Sequence, residues 1–239
     1  MDNATLLNGG INNFGLGQNV TQQGELPYEI IHFKDGDVIF KEGEEPRGLY
    51  YMQSGCVKIM MSRKQSRGRT TSSEYVTKLV GAGEYFGYKA LVRGGITKGS
   101  AKAVKSTTVW LYSKDRLLMA LRAANPIVKM VLQQAVGDIT SFENTSQLHY
   151  LASVEERIAY QLVLMSEKFG LPTENGISLN LKLTRNELAQ MASTINESLS
   201  RHLTEFKNEG LIELNGKEII IKNKAGLMAK SGNFSQGLS

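Results

Sequence analysis

The chain has 239 residues, enough for two domains that each bury a core, and 28 Lys and Arg against 23 Asp and Glu give a formal net charge of +5. This charge favours a polyanionic partner, although an ordinary basic surface gives the same balance. The single cysteine, Cys56, excludes an internal disulfide, an iron–sulfur cluster and a cysteine-based zinc site built from this chain, and it fits a reducing cytoplasm.

Both ends of the chain are predicted to be flexible. Residues 1–26 are rich in Asn, Gly and Gln, and they bury too little apolar surface to offset the entropy lost on ordering. They lack the basic start and apolar block of a signal peptide, and no apolar run in the chain reaches the roughly 18 residues that span a bilayer. Residues 229–239 are rich in Gly and Ser and are also expected to fray.

Residues 27–124 predict an antiparallel β-roll. They contain short apolar runs separated by turn residues, with glycines at the bends, as is typical of consecutive antiparallel strands. The predicted strands are 30–33, 38–40, 49–52, 57–60, 75–80 and 107–112. The basic segment 63–69 is predicted to be a solvated hairpin tip, with a contact to polymerase or DNA as the alternative.

Residues 125–151 predict one long helix, because Asn125-Pro126 suits a first helical turn. Its apolar residues alternate spacings of four and three, a pattern typical of the seam between two parallel helices. This seam consists of Val128, Leu132, Ala135, Ile139 and Phe142. The helix could instead pack on its own β-roll, so the pattern allows either a dimer or an intramolecular contact.

Residues 152–228 predict a helix from 154 to about 169 and then a winged helix-turn-helix. Thr184 and Glu187 have the spacing of a capping box, which starts a short helix, and a turn at 192–194 leads into a second helix. A hairpin with a type I′ turn at Asn215-Gly216 follows and forms the wing. This order of elements indicates DNA binding, whereas the alternative is two amphipathic helices beside a surface hairpin.

The second of these helices has one apolar and one polar face. Helical spacing places Ile195, Leu199, Leu203 and Phe206 towards the core. The opposite face, which includes Asn196, Glu197, Ser200 and Arg201, is therefore free to enter a groove.

The residues Phe33–Phe40 with Gly43, Leu49-Tyr50 and Ser54–Ile59 resemble the opening of a cyclic-nucleotide-binding β-roll. Joined to the winged helix-turn-helix, the chain resembles the CRP/FNR family of bacterial transcription regulators over about residues 28–223. The resemblance implies an α+β fold with an N-terminal β-roll, a long dimerisation helix and a C-terminal winged helix-turn-helix. It also implies a cytoplasmic homodimer that binds an inverted-repeat operator in double-stranded DNA and contacts RNA polymerase.

Relatives that bind cyclic AMP use a Gly-Glu-Leu motif for the ribose and an Arg-Ser-Ala motif for the phosphate. The corresponding residues here are Gly87, Tyr88 and Lys89, followed by Gly99, Ser100 and Ala101, so both charged determinants are missing. By resemblance, Ser141 and Phe142 would contact a ligand from the long helix. We therefore do not expect control by cyclic AMP, and the alternatives are a modified nucleotide, another small molecule or protein signal, and activity without a ligand.

Three basic residues near these motifs, Lys89, Arg93 and Lys98, could replace the missing cation, although such residues are more often a solvated surface. Haem is not expected, since Cys56 lies in an apolar strand and the three histidines, His32, His149 and His202, form no recognisable ligand set. No metal ligand is therefore assigned.

The resemblance also implies how DNA is read. Glu197, Ser200 and Arg201 reproduce the Glu-x-x-Ser-Arg spacing of FNR-like relatives, whereas CRP-like relatives carry an Arg where Asn196 stands. The expected half-site therefore resembles TTGAT more than TGTGA. Residues 194–197 could also form a capping box that occupies Glu197. The residues expected to contact phosphates are Arg185, Lys207 and Lys217.

Two other functional classes compete with a transcription regulator. The first is a ligand receptor that regulates a partner protein and retains a vestigial helix-turn-helix. The second is an enzyme, but the sequence contains no Ser/His/Asp arrangement, metal-ligand spacing or phosphate loop. We assign no catalytic residue and expect no enzymatic activity.

Overall fold

The computed structural model describes residues 26–63, 73–123 and 125–235. Most of the predicted N-terminal tail, the basic segment beyond Arg63 and residues 236–239 lie outside the described residues. The strands of the N-terminal half are β1 (Glu29–Phe33), β2 (Val38–Phe40), β3 (Gly48–Ser54), β4 (Val57–Arg63), β5 (Ser73–Val80), β6 (Tyr85–Phe86), β7 (Ser100–Ala103) and β8 (Thr107–Ser113).

These strands form two antiparallel sheets, in the orders β1-β8-β3-β6 and β2-β7-β4-β5. The predicted β-roll is confirmed, and β6 and β7 are additional short strands. The apolar core of the roll is built around Tyr50, Met52, Val57 and Val109, which are all buried. The rings of Tyr50 and Phe86 stack with centroids 5.0 Å apart, so aromatic side chains fill this interior.

The helices are α1 (Tyr88–Arg93), α2 (Lys114–Arg122), α3 (Pro126–Leu151), α4 (Val154–Phe169), α5 (Arg185–Met191), α6 (Asn196–Asn208) and α7 (Lys224–Lys230). A short 3₁₀ helix follows at Gly232–Ser235. In the C-terminal half, β9 (Leu171–Thr173), β10 (Gly176–Ser178), β11 (Ile212–Asn215) and β12 (Glu218–Ile221) form a third antiparallel sheet, in the order β11-β12-β10-β9.

Helix α3 begins as predicted, with the Asn125 side chain accepting a hydrogen bond from the Ile127 backbone N–H at 3.1 Å. One face packs on the β-roll through the buried Ile127 and Val131. Val128 and Ala135, which were predicted for the seam, are half-buried in this same cluster, because helical spacing turns them towards the roll. The rest of the predicted seam is exposed.

The exposed seam of α3 is one apolar stripe. Leu132 is 63% exposed, Ile139 58% and Phe142 73%. Val136, which the seam prediction omitted, is also exposed at 55% and lies beside them, one helical turn after Leu132. Exposed apolar side chains that adjoin in this way often mark a surface that another molecule covers.

A single apolar cluster joins the β-roll to the C-terminal half. It contains Cys56 and Leu79 from the roll, Val163 and Phe169 from α4, and Phe206 from α6. Burial raises the pKa of the Cys56 thiol to about 12, so this residue is a core residue, as predicted, and is not a reactive thiol.

The C-terminal end differs from the prediction. Residues 229–235 were expected to fray, but α7 continues to Lys230 and the 3₁₀ helix follows it. Leu227 and Ser231 are buried, and Phe234 packs against a cluster that contains Leu148 and Tyr160. The Gly and Ser content of this segment concealed the apolar residues that anchor it.

Candidate DNA-binding surface and effector region

Helix α5 begins with the predicted capping box. The Thr184 hydroxyl accepts a hydrogen bond from the Glu187 backbone N–H at 3.2 Å, and the Glu187 carboxylate accepts one from the Thr184 backbone N–H at 2.8 Å. Leu188 and Ala189 are buried and hold the helix on the core. The start of the helix-turn-helix is therefore fixed by local chemistry.

The start of α6 differs from the prediction in two respects. Its N-cap is Ile195 and no side chain caps the helix, so the capping box considered for residues 194–197 does not form and Glu197 is not occupied by it. Ile195 was also expected to face the core, but it is 64% exposed, because at the N-cap its backbone is extended (φ −101°) and the helical spacing does not yet apply.

Helix α6 has the two faces that the sequence predicted. Leu199, Leu203 and Phe206 are buried against the rest of the domain. The predicted base-reading residues are all exposed on the other side: Asn196, Glu197, Ser200 and Arg201. The Arg201 Nε lies 3.9 Å from Glu205 Oε1, a weak surface ion pair that leaves the Arg201 side chain 66% exposed.

The wing is present, but its turn is shifted by one residue. Asn215 pairs with Glu218, so the connecting residues are Gly216 and Lys217 rather than Asn215 and Gly216. Only Gly216 has a positive φ, of 62°, whereas a type I′ turn needs two such residues. The predicted type I′ turn is therefore wrong, and Lys217 stands at the tip of the wing.

The predicted phosphate-contacting residues differ in how free they are. Lys207 and Lys217 are exposed. Arg185 is half-buried, its Nη2 donates to the Gly216 carbonyl oxygen at 3.2 Å, and its Nη1 is buried without a hydrogen-bond partner. Burial lowers the pKa of Arg185. Arg185 therefore ties the wing to α5 in addition to any contact with DNA.

The helix-turn-helix contacts the β-roll through α5. The Glu187 carboxylate forms an ion pair with the Lys58 ammonium of β4. Gln190 holds β5 from both ends of its amide, accepting from the Val76 N–H at 3.1 Å and donating to the Glu74 carbonyl at 3.3 Å. A cleft of about 270 Å³ lies beside these contacts.

Neighbouring atoms leave little space for a side chain at the two glycines of the effector motifs, Gly87 and Gly99. Gly87 has a φ of +81°, and a Cβ there would lie 2.8 Å from Cδ2 of Tyr50. A Cβ at Gly99 would lie only 2.6 Å from the backbone oxygen of Met60, so an arginine does not fit at this position without a backbone shift. Ser100 accepts a hydrogen bond from the Glu42 N–H at 3.0 Å, and Ala101 is fully buried in β7.

The side chains of Tyr88 and Lys89 are bound to Asp138 of α3. The Tyr88 hydroxyl donates to Asp138 Oδ2 at 2.7 Å, and the Lys89 Nζ lies 3.0 Å from the same oxygen. Lys78 Nζ and Gln134 Nε2 contact Oδ1 at 2.5 and 3.1 Å. Burial alone would raise the pKa of the Asp138 carboxyl, but Lys78, Tyr88 and Lys89 together lower it to about 2.

These contacts continue to the C-terminal half. Lys78 lies 3.4 Å from Glu84, and Glu84 lies 2.5 Å from Lys168 of α4. Lys168 also donates to the Leu79 carbonyl at 2.8 Å. The chain of ion pairs thus joins α1, β5, α3 and α4, and its central carboxylate is Asp138. Sequence reasoning missed this chain of ion pairs because its members are distant in sequence. Lys78 and Tyr88 lie 60 and 50 residues from Asp138, and no motif connects them.

Asp138→Asn should lower the free energy of unfolding in a pH-dependent manner. Because the folded-state pKa lies below that of the unfolded chain, the ionised carboxylate stabilises the fold above about pH 4 and loses this effect as the pH falls towards 2. The pH-dependent part is about 2 kcal/mol. Urea denaturation of parent and variant between pH 7 and pH 3 measures it, with Asp115→Asn as the exposed control. An unfolding difference that does not shrink on acidification contradicts this role.

The remaining predicted effector residues lie on the surface. Ser141 and Phe142 are both exposed on α3. Within the described part of the chain, no group of three or more His, Cys, Asp or Glu side chains could hold a metal ion. None of the helices in residues 26–63, 73–123 and 125–235 combines the length and hydropathy needed to cross a membrane.

The fold and surface together define a protein with an N-terminal β-roll and a C-terminal winged helix-turn-helix. The family model for a cyclic nucleotide-binding domain matches residues 30–124, and that for a Crp-like helix-turn-helix domain matches residues 156–230. The chain belongs to the CRP/FNR family of transcription regulators. It is a DNA-binding transcription regulator and is not an enzyme.

Several relatives show this similarity. The cAMP-activated global transcriptional regulator CRP of Haemophilus influenzae is 31% identical over 186 residues, which cover 75% of this chain and 77% of the relative. The fumarate and nitrate reduction regulatory protein of Salmonella typhi is 24% identical over 198 residues, covering 83% and 76%. The solved structure of FixK2 from Bradyrhizobium japonicum has the same fold, with a TM-score of 0.70 at 20% identity, and the match covers 87% of this chain and 98% of that one.

Proposed function

We propose that the protein is a homodimeric regulator that reads an inverted-repeat operator with α6 and does not respond to cyclic AMP. The observation that carries the DNA-binding part is the exposed polar face of α6, which holds Glu197, Ser200 and Arg201 on a helix anchored by three buried apolar residues. In this proposal Arg201 donates to the O6/N7 edge of a guanine, and Glu197 accepts from a cytosine amino group.

Dimerisation is supported by the stripe on α3. Leu132, Val136, Ile139 and Phe142 follow a 4-3-3 spacing and are more than half exposed in the single chain. Pairing with a second copy along parallel α3 helices would remove this apolar area from water. Two helix-turn-helix units related by a two-fold axis would then face two half-sites about one helical turn apart, roughly 34–36 Å.

The test of the DNA-binding part is selection from randomised double-stranded DNA by the full-length protein. The expected product is an inverted repeat whose half-sites resemble TTGAT. Phosphate contacts by Lys207 and Lys217 should make the affinity fall with salt. Recovery of no enriched sequence would favour the alternative of a ligand receptor whose helix-turn-helix no longer binds DNA.

The residues at the effector motifs support the proposal that cyclic AMP does not control this protein. Tyr88 and Lys89 are engaged by Asp138, and Gly99 has no room for a side chain, so neither a carboxylate for the ribose nor a guanidinium for the phosphate is offered. The hydroxyl of Tyr50, beneath Gly87, is buried without a partner, which leaves a polar group that another small molecule could satisfy. A modified nucleotide, another small molecule or protein signal, and activity without any ligand remain the candidate modes.

Cyclic AMP should neither bind tightly nor be required for operator binding. Isothermal calorimetry of the full-length protein measures the first, and anisotropy with labelled operator, with and without cyclic AMP, measures the second. The cAMP-activated regulator of Haemophilus influenzae serves as the positive control for the calorimetry. A submicromolar dissociation constant for this chain would mean that Lys89, Arg93 or Lys98 rebuilds the phosphate site.

As a regulator that acts on the chromosome, the protein is proposed to work in the cytoplasm and to contact RNA polymerase at its promoters. The proposal includes no membrane partner and no metal or other resident cofactor.

A further inference from the structure

The N-cap of α6 breaks the usual chemistry of a helix start. Ile195 occupies this position, and its side chain makes no capping hydrogen bond to the first turn. Isoleucine is among the least favourable N-cap residues, whereas Ser, Thr, Asp and Asn are favoured. The neighbouring helices α4 and α5 follow the rule, with capping boxes at Ser153 and Thr184. Departures of this kind are expected where function outweighs local stability.

The side chain of Ile195 is also exposed, so it buries little apolar surface within the folded chain. It is 64% exposed, although Leu199, one turn later, is 2% exposed. It directly precedes Asn196 and Glu197, which are exposed at the same end of α6. The side chain therefore stands at the end of the helix that, in the proposed function, enters the major groove.

The chemistry of the major groove limits what such a side chain can recognise. The isoleucine side chain cannot form hydrogen bonds, and it stabilises a complex only by removing apolar surface from water. Among the four bases, only thymine presents an apolar group in the major groove, its C5-methyl, whereas the other base edges offer donors and acceptors. An apolar residue beside the base-reading positions therefore matches a thymine.

We propose that Ile195 contacts the C5-methyl group of a thymine in each half-site and adds a preference for thymine to the readout by Arg201 and Glu197. This inference rests on the proposed function, since it requires that α6 enters the groove. It makes Ile195 a specificity-determining residue at the edge of the recognition surface.

The test removes the methyl group from DNA and the isoleucine from the protein, separately and together. The operator is the one selected by the full-length protein. Its thymines are replaced one position at a time, in both half-sites, by deoxyuridine, which lacks only the methyl group. Dissociation constants are measured by fluorescence anisotropy at one fixed salt concentration for the parent, Ile195→Ser and Ile195→Val. Ile195→Ser introduces a favourable N-cap, so the variant keeps α6, and its unfolding midpoint is recorded as a check.

At one thymine position, removal of the methyl group should weaken binding of the parent. The expected loss is roughly fourfold for one half-site, the effect of one buried methyl group, and about fifteenfold when both half-sites are changed. Ile195→Ser should lose this dependence at the same position, and Ile195→Val should keep most of it.

Equal losses for the parent and Ile195→Ser at every thymine would overturn the assignment while leaving the proposed function intact. Failure to select any operator would overturn both.

Discussion

Ile139→Asp should convert the protein from a dimer into a monomer at micromolar concentration. Ile139 lies in the middle of the exposed stripe of α3, so the substitution places two unpaired carboxylates opposite each other in a symmetric interface. The variant should elute at the monomer mass of 26.4 kDa in size-exclusion chromatography with light scattering, whereas the parent should have twice this mass. The monomer should also lose most of its affinity for the inverted repeat, because one helix-turn-helix engages only one half-site.

The matched control is Asn144→Asp, which adds the same charge to α3. Asn144 is exposed and lies on a different face of the helix, five residues after Ile139. It should remain a dimer with normal operator binding. A parent that is monomeric at micromolar concentration, or an Ile139→Asp variant that keeps the mass of the parent, shows that the stripe is not the dimer seam.

Arg201→Ala should reduce affinity for the selected operator by about 1–3 kcal/mol and relax the preference at one base pair of each half-site. Its guanidinium is exposed, and its only recorded partner among the described residues is Glu205 at 3.9 Å, so the loss arises at the DNA and not in the fold. Lys217→Ala at the tip of the wing is the matched control. It should weaken binding to all sequences about equally and reduce the salt dependence by about one unit.

Repeating the selection with purified Arg201→Ala decides between these outcomes. The selected motif should become degenerate at one position, while the motif of Lys217→Ala should be unchanged. If Arg201→Ala selects the same motif as the parent, α6 is not the recognition helix in the way proposed here.

The elements that the sequence predicted well are those defined by neighbouring residues. Thr184 and Glu187 are three residues apart, and their reciprocal hydrogen bonds are the ones that the capping-box pattern specifies. The same holds for Asn125 before Pro126 and for the buried side of α6. At the N-cap, however, periodicity fails, because Ile195 precedes the first helical residue and its direction depends on the turn before it.

The features that the sequence did not reveal depend on residues distant in the chain. The carboxylate of Asp138 accepts hydrogen bonds from Lys78 and Tyr88, which lie 60 and 50 residues away in the sequence, and no motif connects these residues. The turn of the wing depended on which residues of β11 and β12 pair, and a shift of one residue moved it from Asn215-Gly216 to Gly216-Lys217. Val128 and Ala135 fit the seam by spacing, and packing against the core cluster beneath α3 also half-buries them.

The apolar cluster that joins the β-roll to α4 and α6 limits how the protein can be divided for engineering. A fragment that begins at α4 would lack Cys56, Leu79 and the other β-roll residues of this cluster, so the remaining part of the cluster would lose that cover. Such a fragment is prone to aggregate through the uncovered face. A chimera that gives this recognition helix a different sensor domain therefore needs the matching surface of β4 and β5, and not only a suitable linker.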